Sequence, residues 1–118
     1  MAEFGLFIGW GTPFPGKEAA SVKVFGEATA YWEALRAAGE IESVEPWVLG
    51  LHGGDLRGFA LLRGDPEKLA RISMSPEFHR LTQRAAVCLE SVGVVNGVVG
   101  TGVAGQLDRW REAVGDLI

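Results

Sequence analysis

Four short apolar segments of this sequence do not alternate. A strand in a sheet covered on one side carries apolar and polar residues in turn, because successive side chains point to opposite faces. Here Phe4, Leu6, Ile8 and Trp10 share one parity, yet Phe7 stands on the other. Leu49 and Leu51 oppose Val48, Phe59 and Leu61 oppose Ala60 and Leu62, and Val94 and Val98 oppose Val95 and Val99. A sheet built from these segments is apolar on both faces. The chain's own helices can cover one face, and the other needs a second cover.

The segments between them have helical spacing. From about Lys17 to Ala38, Val22, Phe25, Ala28, Trp32 and Leu35 recur at three and four residues, widened by Val24 and Tyr31, and Gly39 ends the run. Ile41–Leu51 is short and β-rich, His52-Gly-Gly-Asp55 reads as a turn, and Gly58–Arg63 follows as the second arm of a hairpin. Asp65-Pro66 and Ser75-Pro76 each join an N-cap oxygen to a proline in the first turn, predicting helices over 66–73 and 76–90. The longer one buries Phe78, Leu81, Ala85, Cys88 and Val92. A strand over 93–99 and a helix from about Ala104, with Leu107, Trp110, Val114 and Leu117 on one stripe, complete the order.

That order is β-α-β-β-α-β plus one helix, the ferredoxin-like plan of an α+β fold. It has a four-stranded antiparallel sheet, helices on one face and an extra C-terminal helix, all in a single domain over 1–118. For the second apolar face the expected cover is another copy of the chain, giving a homodimer packed sheet to sheet or closed into a shared barrel. The competing reading is a monomer whose last helix folds across the sheet.

Composition narrows the function. Of 118 residues, 47% are hydrophobic and the net charge is -4, which excludes intrinsic disorder and a strongly basic nucleic-acid binder. One cysteine, Cys88, excludes a disulfide scaffold, and two histidines 27 residues apart exclude a structural zinc site. No apolar run approaches the ~20 residues of a membrane span. With no basic residue before Lys17, the expected location is cytoplasmic.

The chain resembles the dimeric α/β-barrel superfamily, including YCII-related proteins and antibiotic-biosynthesis monooxygenases, over about residues 4–100. The resemblance is carried by Leu35-Arg-Ala-Ala-Gly39-Glu-Ile41, Gly54-Asp-Leu-Arg-Gly58-Phe-Ala-Leu-Leu62, Gly64-Asp-Pro-Glu-Lys-Leu69 and Ser75-Pro-Glu-Phe78. It implies the fold, a dimer, and a cleft between sheet and helices. The YCII-type His–Asp dyad does not transfer, because no histidine precedes His52.

Two motifs imitate nucleotide sites. Gly11-Thr-Pro-Phe-Pro-Gly16-Lys17 approaches a phosphate loop, but Pro13 and Pro15 remove two N–H donors and Glu18 replaces the hydroxyl residue. Gly100-Thr-Gly102-Val-Ala-Gly105 has the dinucleotide glycine spacing, but the 13 residues after it read as helix with no second strand. It is read as a turn that lets the last helix swing out.

The candidate ligand residues are Trp10, Trp47 and Phe59 as aromatic lining, with His52, Arg63 and His79 as polar groups. Arg57, Arg63 and Arg71 are expected near one end of the sheet. The expected function is a homodimer binding a small aromatic or anionic molecule without a cofactor or metal. The alternatives are a cofactor-free enzyme of proton-transfer or monooxygenase type in the same cleft, and a non-catalytic oligomeric accessory domain.

Overall fold

Proline chemistry places the helices. In the computed structural model, which describes residues 2–117, helix α2 spans Pro66–Ser73 and helix α3 spans Pro76–Cys88. The Asp65 carboxylate accepts from the N–H groups of Glu67 and Lys68, both at 3.1 Å. The Ser75 hydroxyl accepts from Phe78 N–H at 3.2 Å. Each cap satisfies backbone donors that the helix itself leaves unpaired. Helix α1, Glu18–Ala37, ends where Glu40 N–H reaches back to Leu35 C=O and Gly39 N–H to Arg36 C=O. The positive φ of 76° at Gly39 allows both bonds.

Strand β1, Phe4–Trp10, lies at the centre of the sheet, between β3, Gly58–Gly64, and β4, Gly93–Val98. Strand β2, Ser43–Val48, is the other edge, and the order is β2-β3-β1-β4, all antiparallel. Pro46 suits an edge, where a missing N–H costs no ladder bond. This is the expected α+β ferredoxin-like sheet.

Register decides the faces. Leu6 stands beside Leu62 and Ile8 beside Ala60, and these four join Trp32, Ile41, Leu69, Ile72 and Phe78 in the core under the helices. The opposite face carries Phe7, Trp47, Phe59, Leu61 and Val95, with no helix of the described residues packed on it.

Three sequence expectations change. Val22 is 72% exposed, and the buried line of α1 runs through Ser21, Val24 and Trp32. Ser21 is tolerated there because its hydroxyl donates to Glu18 C=O at 2.7 Å, while Val22 sits about 100° round the helix. The strand expected over 41–51 stops at Val48, so residues 49–57 form a long loop and Leu51 is exposed. Arg57 precedes β3 and Arg63 lies near its far end. They are about 20 Å apart at ~3.3 Å per residue and do not share an end of the sheet.

Helix α4, Gly102–Val114, starts two residues before the expected Ala104 and continues as a 3-10 turn, Gly115–Leu117. It does not fold across the sheet. Its apolar stripe stays open, with Trp110 59% exposed. The radius of gyration is 16.1 Å, against about 13.5 Å for a compact chain of this length. In this structure the last helix therefore does not cover the outer face of the sheet.

Candidate functional site

Two surfaces have the make-up of a site, and they lie on opposite sides of the sheet. The inner one is a cleft between β1, α1 and α3. Ile8 and Trp10 form its floor, Phe25, Ala28 and Tyr31 one wall, and Phe78, Thr82 and Ala85 the other. Spacings of three, four and seven residues put these α1 and α3 side chains toward the sheet. Trp10 meets Phe25 edge to face at 5.6 Å between ring centres. Trp10 lies over Gly58, where a Cβ would come within 2.5 Å of its ring.

The cleft holds a void of about 50 Å³ that is partly open to the surface. That is larger than the gaps of an ordinary core, which rarely exceed one water molecule. Its lining residues carry two hydroxyls, beside the indole N–H groups of Trp10 and Trp32. Thr82 Oγ1 donates to Phe78 C=O at 2.8 Å, and Tyr31 Oη lies 3.3 Å from Ser75 Oγ. Tyr31 is the one ionisable side chain among the described residues that line it.

A charged clasp joins the helices beside the cleft. Arg84 of α3 donates from Nε and Nη2 to the two carboxylate oxygens of Glu27 on α1, at 2.9 and 3.0 Å. These hydrogen bonds hold the Glu27 carboxyl below its ordinary range, against a smaller opposing effect of desolvation.

The outer surface is an aromatic row. Trp47 stacks on Phe59 at 5.6 Å and 12°, and Phe59 stacks on Phe7 at 5.2 Å and 22°. The row crosses three strands, β2, β3 and β1. The Phe7 ring occupies the space over Gly9, where a Cβ would come within 2.8 Å of it. The Trp47 indole N–H donates to the Glu45 carboxylate at 2.7 Å, so its one polar atom is already partnered.

The six expected ligand residues are thus divided. Trp10 faces the inner cleft. Trp47, Phe59 and Arg63 lie on the outer face, with Arg63 beside a hollow of about 240 Å³. His52 is exposed in the 49–57 loop. Its Nε2 lies 2.6 Å from Leu56 C=O and its Nδ1 accepts from Gly54 N–H at 3.2 Å, so the ring braces the loop. His79 is exposed in the first turn of α3. Phe25, Tyr31 and Phe78 were read as helix or core positions and prove to be cleft walls, together with Thr82, which the sequence reading did not single out. The dense aromatic spacing of Phe25, Tyr31 and Trp32 was the available signal.

The loop after β1 spends its donors elsewhere. Gly11 N–H goes to Glu90 C=O, Phe14 N–H to Cys88 C=O and Lys17 N–H to Phe14 C=O. It is a rigid connection, as its prolines imply. Among the described residues no cluster of three or more His, Cys, Asp or Glu is placed to hold a metal ion, and no helix is long and apolar enough to cross a membrane.

The same architecture occurs in solved proteins. A dimeric ferredoxin-like protein of unknown function from Bacteroides fragilis matches with a TM-score of 0.59 and 15% identity, over 81% of this chain and 96% of its own. A ferredoxin-like protein of the dabb family from Mesorhizobium loti matches at 0.63 and 14%, over 83% and 98%. SnoaB, a cofactor-independent oxygenase from Streptomyces nogalater, matches at 0.53 and 14%, over 85% and 94%. No protein-family model matches the chain, and no curated protein matches it in sequence. The chain therefore has the ferredoxin-like fold of these proteins. At these identities the likeness is one of fold.

Proposed function

We propose that this protein is a homodimer that binds a small, largely apolar aromatic molecule in the cleft between β1, α1 and α3. The observation that carries this reading is the void beside Trp10, Phe25, Tyr31 and Phe78, lined almost wholly by carbon. An apolar void stays dry and gains by filling with an apolar guest. At about 50 Å³ it admits part of a ring, so a guest must push the Trp10–Phe25 pair apart. Ligand sites usually exceed ~300 Å³. Tyr31 Oη and Thr82 Oγ1 supply the orienting hydrogen bonds. The dimer follows from the bare aromatic face, and a reducing cytoplasm suits the buried free Cys88.

A binder is favoured over an enzyme by the same lining. Proton transfer needs a base within reach of the substrate, and neither histidine lies in the cleft. The fold neighbour SnoaB is a cofactor-independent oxygenase, which keeps cofactor-free oxidation as the second reading.

The test is a thermal-shift screen with phenol, indole and naphthalene derivatives, with Ala85→Phe as the filled-cleft control. A guest that binds only the folded state stabilises it by about 2.7 kcal/mol at a hundred times its Kd. The expected result is a rise in Tm for wild type that Ala85→Phe abolishes. A shift that survives the filling, or no shift from any aromatic at millimolar concentration, overturns the assignment. Oxygen uptake with the same compounds separates binder from oxygenase.

A further inference from the structure

Arg57 carries a buried donor with no partner. It stands where the 49–57 loop enters β3. Its Nη1 is closed to water and meets no hydrogen-bond acceptor among the described residues. Its Nε donates to Thr12 Oγ1 at 3.1 Å. Asp55 and Glu90 are close in backbone, their carbonyl oxygens 3.2 and 2.8 Å from where a Cβ would stand on Gly11. Yet neither carboxylate forms an ion pair with the guanidinium. A buried guanidinium nitrogen left unpaired is costly, and folded proteins keep such groups rare. One that is kept calls for an acceptor.

The backbone sets this group at one end of the inner cleft. Trp10, on the cleft floor, faces Gly58 in register, yet its C=O takes the Arg57 N–H at 2.8 Å. Two residues at the start of β3 thus stand against one of β1, the pattern of a β-bulge, which re-aims a side chain. Here the side chain reaches Thr12. Thr12 C=O in turn accepts from Glu90 N–H at 2.9 Å, and Pro13 pairs with Leu89. Leu89 lines the cleft, as does Val92. Arg57 and Thr12 are therefore each joined by a backbone hydrogen bond to a cleft wall residue or its neighbour.

We propose that Arg57 and Thr12 hold the carboxylate of an aromatic acid whose ring enters the void beside Trp10 and Phe25. This rests on the cleft-binding reading above and adds the chemical class of the guest. A guanidinium presents its N–H groups in one plane, which a carboxylate matches. Thr12 Oγ1 accepts from Nε, so its own proton is left to donate to the carboxylate. Water does not reach Nη1, so the acceptor must arrive with a group that parts the packing, as a ring entering at Trp10 does. The site suits a carboxylate and not a phosphate, because the adjoining loop has no donors to spare. Pro13 and Pro15 lack an N–H. The N–H groups of Gly11, Phe14 and Lys17 are taken by the carbonyls of Glu90, Cys88 and Phe14. One cation and one hydroxyl balance a single negative charge.

The experiment is calorimetric titration of 2-naphthoate and of its neutral counterpart 2-naphthamide into wild type, Arg57→Gln, Thr12→Val and Ala85→Phe. Circular dichroism reports whether each variant is folded. Wild type is expected to bind the acid roughly 10- to 100-fold more tightly than the amide, the scale of a hydrogen bond to a charged group. Arg57→Gln should remove that preference and leave the amide's affinity nearly unchanged, while Ala85→Phe should weaken both compounds. Equal affinities in wild type, or a preference that survives Arg57→Gln, overturn the Arg57 anchor and leave the aromatic cleft standing. Acid binding that needs Arg57 but survives Ala85→Phe overturns the cleft reading and the joint site with it. Binding of neither compound overturns both. Should Arg57→Gln fail to fold, Thr12→Val, at an exposed loop position, decides: it should weaken the acid several-fold and spare the amide, and an unchanged ratio overturns the anchor.

Discussion

Leu61 and Leu62 are adjacent in β3 and chemically identical, yet they live on different surfaces. Leu62 is fully buried, in the core cluster that includes Trp32 of α1 and Leu69 and Ile72 of α2. Leu61 points the other way, beside Phe7 and the Trp47–Phe59 stack, on a face no helix covers. The inner face has its helices, its void and its caps. The outer face has aromatic rings and bare glycine. The difference teaches that apolar surface has two settings in this molecule: on the inner side it is packed under helices and makes the protomer, and on the outer side no helix of the described residues covers it.

The largest expected effect falls on the inner face. Leu62→Ala should cost about 2–5 kcal/mol in urea unfolding, since it removes packed atoms and leaves a cavity. Leu61→Ala should cost well under half of that at low protein concentration. At high concentration its deficit should grow, because the proposed dimer would cover that face. Equal costs for the two at every dilution would erase the distinction between the faces.

The helix caps come next. Ser75→Ala and Asp65→Ala should each destabilise by about 1 kcal/mol in the same measurement, without altering the self-association seen by sedimentation. A cap variant that changed the dimer constant would tie α2 and α3 to the outer surface after all.

A smaller effect is set by pH. Arg84 lowers the Glu27 carboxyl below its ordinary value, so the clasp's contribution is fully present above the unfolded glutamate range of ~4.3. It fades as pH falls through the lower folded value. Glu27→Gln should therefore lower Tm modestly at neutral pH, and its curve should meet that of wild type in acid. A constant gap down to the most acidic point would show that the ionic clasp is not what holds α1 to α3 beside the cleft.

The smallest effect belongs to α4. Trp110→Gln should change protomer stability by no more than ~0.5 kcal/mol in chemical denaturation at low concentration, because the ring touches little of its own chain. A loss of several kcal/mol would mean that α4 folds back onto the body in solution.

Much of this was legible in the sequence. Asp65-Pro66 and Ser75-Pro76 announced two helix starts to the residue, though the second helix ends at Cys88 rather than at the expected 90, and non-alternating strands announced a sheet apolar on both sides. The site was harder to read. Parity within β1 put Trp10 with Ile8, and parity within β3 put Phe59 with Arg63. Nothing local said that the Trp10 side is the helix side in β1 while the Phe59 side is the bare side in β3. That depends on Trp10 pairing with Gly58 and Ile8 with Ala60. Six residues read as one cleft were consequently split between two faces and two exposed positions.

The sequence by itself determined the element order, the helix starts and the surplus of apolar surface, because capping and periodicity act over a few neighbouring residues. Only the tertiary structure decided which side chains share a face, where the void lies, and that α4 stands away from the sheet. Those outcomes depend on strand register and helix docking, which join residues far apart along the chain and leave no local trace in it.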